Sequence, residues 1–104
     1  MENLEKTETL NKLFSYYGAL LTDKQRAYYT NYYHLDLSLQ EIAELFNVSR
    51  NAVHQQLQNV EKHLLNFEEK LKLVQTGQKR SKLLDKLETT KDFKYIKDLR
   101  KLDE

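Results

Sequence analysis

The fold of this chain turns on residues 38–57, SLQEIAELFNVSRNAVHQQL. Ser38-Leu-Gln-Glu41 has the S-x-x-E form of a capping box. In such a box the serine hydroxyl accepts from the amide three residues on, and the glutamate reaches back to the serine amide. The helix it opens would bury Leu39, Ile42, Ala43 and Phe46. Asn47 tolerates the left-handed conformation that ends a helix, Val48 is apolar at the turn, and Ser49 is a good N-cap for a second helix. That second helix carries Val53 and Leu57 on one side and polar residues on the other.

On the N-terminal side, Leu10, Leu13, Phe14, Tyr17, Leu20 and Leu21 recur with spacings 3, 1, 3, 3 and 1, one face of a helix within residues 4–21. Thr22-Asp-Lys-Gln25 is another capping box. It opens a helix from about Asp23 to Tyr33, with Ala27, Tyr28 or Tyr29, and Tyr32 facing inward. On the C-terminal side, Val53, Leu57, Val60, Leu64, Phe67, Leu71 and Val74 recur with spacings 4, 3, 4, 3, 4 and 3. That is a three-heptad seam, and it predicts one helix from Ser49 to about Gln75, ~40 Å long. Gly77 reads as a helix stop or hinge. Beyond it, Leu83, Leu84 and Leu87 form one stripe, and Phe93, Ile96, Leu99 and Leu102 another, on two short basic amphipathic helices. The organisation expected is a single all-α domain. Residues 1–75 hold the core and the long fourth helix, and residues 76–104 form a basic helical tail that packs on it.

Composition agrees. Proline is absent and glycine occurs twice, so the chain lacks the turn residues a strand-rich fold needs. The absence of cysteine excludes disulfides and thiolate metal sites and fits a reducing compartment. No apolar run approaches the roughly 18 residues of a membrane span, and MENLEKTETL lacks the features of a signal peptide. A soluble, cytoplasmic protein is expected. The net charge of +1 is unevenly spread: residues 1–69 carry 6 Lys/Arg against 10 Asp/Glu, and residues 70–104 carry 11 against 6.

The paired helices have the geometry of a helix-turn-helix, whose second helix can lie in a major groove. Ile42, Ala43 and Phe46 would face Val53 and Leu57, with Ala43 small where the helices cross. SLQEIAELFNVSRNAVHQQLQNVEKHL resembles the last helix-turn-helix of bacterial sigma factors, which reads promoter −35 elements. Residues 20–73, LLTDKQRAYYTNYYHLDLSLQEIAELFNVSRNAVHQQLQNVEKHLLNFEEKLKL, resemble more closely the YlxM-type family of small bacterial proteins. The resemblance implies a DNA-binding protein encoded beside signal recognition particle genes, and hence a role linked to that pathway.

The nucleic-acid reading assigns base edges to Arg50, Asn51, His54, Gln55 and Gln58, and phosphate to Lys62 and the amides beside Ser49. Arginine can pair with guanine; asparagine and glutamine can pair with adenine. Against it stands charge: residues 22–64 carry 4 Lys/Arg and 5 Asp/Glu, whereas duplex affinity comes largely from neutralising phosphates. The other reading of the same motif is a packing unit or protein-binding surface. Nucleic acid, DNA before RNA, is the preferred partner, with a homodimer presenting two recognition helices to recover affinity. Leu64, Phe67, Leu71 and Val74 are the seam that would hold either that dimer or the tail.

Lys79, Arg80 and Lys82 would meet phosphate or an acidic partner, or else form the solvated face of helices whose leucines pack inward. The alternative function is a non-catalytic adaptor that binds protein or RNA of the signal recognition particle pathway. Six of the seven tyrosines occur in adjacent pairs. Each pair reads either as a base-stacking platform or as one buried ring and one rim ring, and the i,i+4 relation of Tyr28 with Tyr32 and of Tyr29 with Tyr33 favours packing. His34, His54 and His63 form no ligand set, no phosphate loop or nucleophile–base pair is evident, and neither enzyme activity, cofactor nor metal is expected.

Overall fold

The computed structural model describes residues 3–104, which form six α-helices with no strand. They are α1 (Leu4–Tyr17), α2 (Asp23–Tyr29), α3 (Leu39–Phe46), α4 (Arg50–Leu71), α5 (Leu73–Thr90) and α6 (Lys94–Lys101). The chain divides into two compact units: the first runs to Lys70 and the second covers Leu71–Glu104. No helix among the described residues is long and apolar enough to cross a membrane.

In the first unit the local signals act where the sequence places them. Asn3 caps α1, its side-chain oxygen accepting from the Glu5 amide at 2.7 Å. Both capping boxes close reciprocally, Thr22 with Gln25 and Ser38 with Glu41. The Glu41 carboxyl lies below the usual carboxylate range because the Ser38 backbone amide, and then its hydroxyl, donate to it. Asn47 ends α3 in the left-handed region at φ 56°, and its successor's amide donates to Ala43 O at 3.0 Å. The Ser49 hydroxyl caps α4 through the Ala52 amide, also at 3.0 Å.

A residue with a Cβ loses about 1–2 kcal/mol in the left-handed region, and asparagine among them least. Replacing Asn47 with alanine should therefore destabilise the first unit by about 1 kcal/mol, measured by thermal or urea unfolding. Asn47→Gly should be neutral or better.

The core of this unit is built from Leu10, Leu13 and Tyr17 of α1, Leu21 before α2, Tyr28 and Tyr29 of α2, Ile42 and Ala43 of α3, and Val53, Leu57, Val60 and Leu64 of α4, all buried. Around Tyr28, Ile42, Ala43, Val53 and Leu57 pack the half-buried Phe46 and Val48, so the helix-turn-helix angle is set by the expected apolar residues. Arg26 locks the α1–α2 connection, donating to Leu21 O at 2.6 Å and to Gly18 O at 3.3 Å while pairing with Asp23.

Several expectations are corrected. Leu20 is exposed, because α1 stops at Tyr17 and Gly18–Leu20 form a 3₁₀ turn whose tighter winding carries it out of the α-helical stripe. Tyr28 and Tyr29 are both buried, so the rule of one buried ring per pair fails there. Helix α2 does not continue to Tyr33 as an α-helix: Thr30–His34 form a π-helical turn, which leaves both Tyr32 and Tyr33 half-buried.

The seam is broken as well. Helix α4 ends at Leu71 and not near Gln75, because Lys72 takes the left-handed conformation at φ 55°, ψ 31°. Leu64 is buried, Phe67 is half-buried against Tyr17, Leu71 is exposed, and Val74 is buried but belongs to α5. These residues therefore do not form one continuous strip on one straight helix. Gly77 is neither stop nor hinge but lies inside α5.

The second unit is a helical hairpin. Arg80 on α5 pairs with Asp103 beyond α6 at 3.3 Å. Leu83, Leu87, Tyr95, Ile96, Leu99 and Leu102 are half-buried. Leu84 and Phe93 are exposed, contrary to their place in the inward stripes. Phe93 precedes the first turn of α6 and so escapes its periodicity.

Candidate nucleic-acid interface

Helix α4 positions every residue of the candidate surface except Ser49, its cap. At 3.6 residues per turn each residue advances about 100° around the axis. On that scale Arg50, His54, Gln58, Asn51, Lys62 and Gln55 follow one another within an arc of about 140°. The buried Val53, Leu57, Val60 and Leu64 fall on a separate arc of about 60°. Ser49, Arg50, Asn51, His54, Gln55, Gln58 and Lys62 are all exposed. The structure thus brings the residues selected from sequence onto one solvent-facing surface, running ~18 Å from Arg50 to Lys62. The apolar side holds this surface by burial, and the Ser49 cap fixes its start.

Residues 79, 80 and 82 are likewise exposed, on α5. Lys79 and Lys82 continue into Lys86 with spacings 3 and 4, a basic stripe along one side of that helix. Arg80 stands off this stripe, tied to Asp103.

Two residues near the α4 surface were missed by sequence reasoning. Glu61 shares a heptad stripe with His54, at the inner edge of the reading arc, a position legible from the spacing of seven. Its carboxylate accepts from the Tyr33 hydroxyl at 2.7 Å and pairs with Lys6 of α1 at 3.3 Å. No local signal in the sequence marks Lys6. A groove of about 730 Å³ between α1 and α4 is lined by Glu5, Lys6, Leu10, Gln58, Glu61 and Lys62, among others.

The tyrosines are mostly structural in this arrangement. Tyr29 stacks on Phe14 with ring centroids 4.3 Å apart and on Tyr33 at 4.6 Å, and its hydroxyl donates to Asn11 at 2.6 Å. Burial, and then the Glu61 charge, push its phenol well above the ordinary range. Tyr17 donates to Glu68. Among the described residues no group of three His, Cys, Asp or Glu could hold a metal ion.

Comparison with known proteins bears on what such a surface is for. Residues 4–102 match the family model UPF0122, described as "Putative helix-turn-helix protein, YlxM / p13 like". The chain is 52% identical over 84 residues to a UPF0122 protein of Bacillus cereus (strain AH187), an alignment that covers 81% of this chain and 76% of the relative. UPF0122 proteins of Bacillus anthracis (strain A0248) and Bacillus thuringiensis subsp. konkukian (strain 97-27) align with the same identity and coverage.

Proposed function

The chain belongs to the UPF0122 family of YlxM- and p13-like helix-turn-helix proteins, and from that premise we propose that it is a non-catalytic DNA-binding regulator that reads duplex DNA with α4. The observation that carries the proposal is the division of α4 into two arcs, apolar residues buried on one and Arg50, Asn51, His54, Gln55, Gln58 and Lys62 exposed on the other. A helix so divided can be held rigidly while its outer side enters the major groove, which is wide enough for it. Arg50, Asn51, His54 and Gln55 stand nearest the N-terminal end and take the base edges. Gln58 meets an edge further along, and Lys62 with the amides after Ser49 takes phosphate.

Charge shapes the rest of the proposal. A module with so few uncompensated cations binds one site weakly, so the working form is a homodimer with two recognition helices set on half-sites about 34–36 Å apart. The basic stripe Lys79, Lys82 and Lys86 supplies further phosphate contacts. A cytoplasmic location suits a DNA reader, and the tie to signal recognition particle genes rests on the YlxM likeness.

The test is binding to mixed-sequence duplex DNA and to a structured RNA between about 50 and 300 mM salt, for the wild type and a Lys79→Gln/Lys82→Gln/Lys86→Gln variant; these conditions span roughly the range over which phosphate contacts lose most of their affinity. Duplex binding should weaken linearly in log–log form with salt. The triple variant should weaken it uniformly across sequences and lower the slope by about 0.9 per phosphate lost. Sedimentation should report twice the 12.5 kDa of one chain. No duplex binding at about 50 mM salt would overturn the DNA reading, and binding to RNA alone would favour the adaptor.

A further inference from the structure

We propose that the Lys6–Glu61 ion pair is an electrostatic trim on the nucleic-acid face, so that the interface extends from α4 across the groove to the N-terminal part of α1. The inference rests on the DNA reading of α4 and adds to it a positioning residue and a second helix.

The observations are local to the first unit. Glu61 projects from the inner edge of the reading arc, ~17 Å along α4 from Arg50. The major groove is about 12 Å wide. A helix that inserts its first turns therefore brings Glu61 and Lys62 to the level of the flanking phosphates. A bare carboxylate there would repel them. The protein instead draws Glu61 inward: its side chain is only 16% exposed, held by the Tyr33 hydroxyl at 2.7 Å and the Lys6 ammonium at 3.3 Å.

Lys6 is half exposed, and it borders the same groove as Gln58 and Lys62. Its charge and that of Glu61 cancel at the place where the reading face meets the backbone of a bound duplex. The Tyr33 bond depends on the π-helical turn that carries this tyrosine, and such turns recur at functional sites. Three elements thus converge on one carboxylate at the rim of the reading surface. The pair lowers affinity relative to a bare lysine and raises it relative to a bare glutamate. This is how a recognition helix in a slightly acidic segment remains compatible with a polyanion.

The experiment is duplex binding across a salt series for the wild type, Lys6→Gln, Glu61→Gln, the double variant, Tyr33→Phe and Arg50→Ala, each checked by thermal melting. The amide introduced by Glu61→Gln still offers an oxygen to Tyr33, so this variant keeps the packing bond while losing the charge. Glu61→Gln should bind about five- to tenfold more tightly near 0.1 M salt, with a salt slope steeper by about 0.9. Lys6→Gln should weaken binding by a similar factor and flatten the slope by as much. The double variant should return to within about twofold of the wild type, because the two positions together again carry no net charge. Tyr33→Phe changes no charge but removes one of the two holds on Glu61, so it should weaken binding by less than Lys6→Gln does, and an unchanged melting temperature separates that loss from a loosened fold.

If Lys6→Gln and Glu61→Gln both stay within about twofold of wild type while Arg50→Ala weakens binding, the trim is wrong and the DNA reading stands. If Lys6→Gln loses affinity but the double variant does not recover it, the pair acts only through the fold and the inference is overturned. A wild type that binds no duplex removes both.

Discussion

Replacing Tyr29 with alanine should cost the first unit about 3–5 kcal/mol and lower its melting temperature by more than about 10 °C. Tyr29 is 0% exposed and touches partners on several sides. Phe14 stacks on it almost parallel, Tyr33 stacks on it as well, and the His34 ring meets it edge-on at 5.5 Å. Removing the ring opens a cavity among these aromatic side chains. Since a domain of this size is stable by only about 5–15 kcal/mol, the loss is a large fraction of the whole. Tyr29→Phe separates the ring from the hydroxyl. It keeps the stack and gives up only the bond to Asn11, so it should cost about 1 kcal/mol. Differential scanning calorimetry on both variants tests the claim. A melting point for Tyr29→Ala within about 4 °C of wild type would mean that the ring is not part of the core.

Arg50→Ala is expected to have the largest effect on recognition. Arg50 opens α4, is exposed, and follows the Ser49 cap that orients the first turn. A guanidinium fork from this position matches the two acceptors of guanine, a contact worth about 1–3 kcal/mol of discrimination, or about 5- to 150-fold in affinity. Binding should be measured on a duplex selected by the wild-type protein and on mixed duplex. Arg50→Ala should lose that factor on the selected site and far less on the mixed one. Arg50→Lys keeps the charge but not the fork. It should hold the salt slope while losing most of the discrimination. Equal losses on both duplexes would make Arg50 a phosphate contact, with base reading carried by Asn51 and Gln55.

Much of this surface was legible in the sequence because its determinants are local. Ser38 with Glu41, Asn47 and Ser49 act on backbone groups within a few residues of themselves, and the structure has each in its expected role. The 4-3 spacing from Val53 to Leu64 selects a buried side, and the reading arc is what remains. Glu61 falls a heptad after His54, at the edge of that arc, yet its spacing did not reveal its role. Its weight comes from Lys6 and Tyr33, 55 and 28 positions away, and no spacing rule reaches that far.

Other features were legible only in part. The pairing of tyrosines signalled packing, but that Tyr28 and Tyr29 are both buried depends on α1 and α3 closing on α2 from different sides, with Phe14 against one ring and Phe46 against the other. The heptad pattern runs through Lys72 without interruption, and lysine is a good helix former. Nevertheless Lys72 adopts a left-handed conformation that costs about 1–2 kcal/mol, and α4 ends at Leu71. Gly77 has the opposite history: a residue that favours helix ends is carried inside α5 by the turns on either side.

The sequence by itself therefore determined the helical class, the caps, the left-handed turn at Asn47 and the polar side of α4, because hydrogen bonds to near neighbours and a 3.6-residue period suffice for those. Only the tertiary structure decided where α4 ends, which tyrosines are buried, and that Lys6 and Tyr33 meet at Glu61. The last two depend on side chains brought together from distant positions, where packing and charge outweigh local preference.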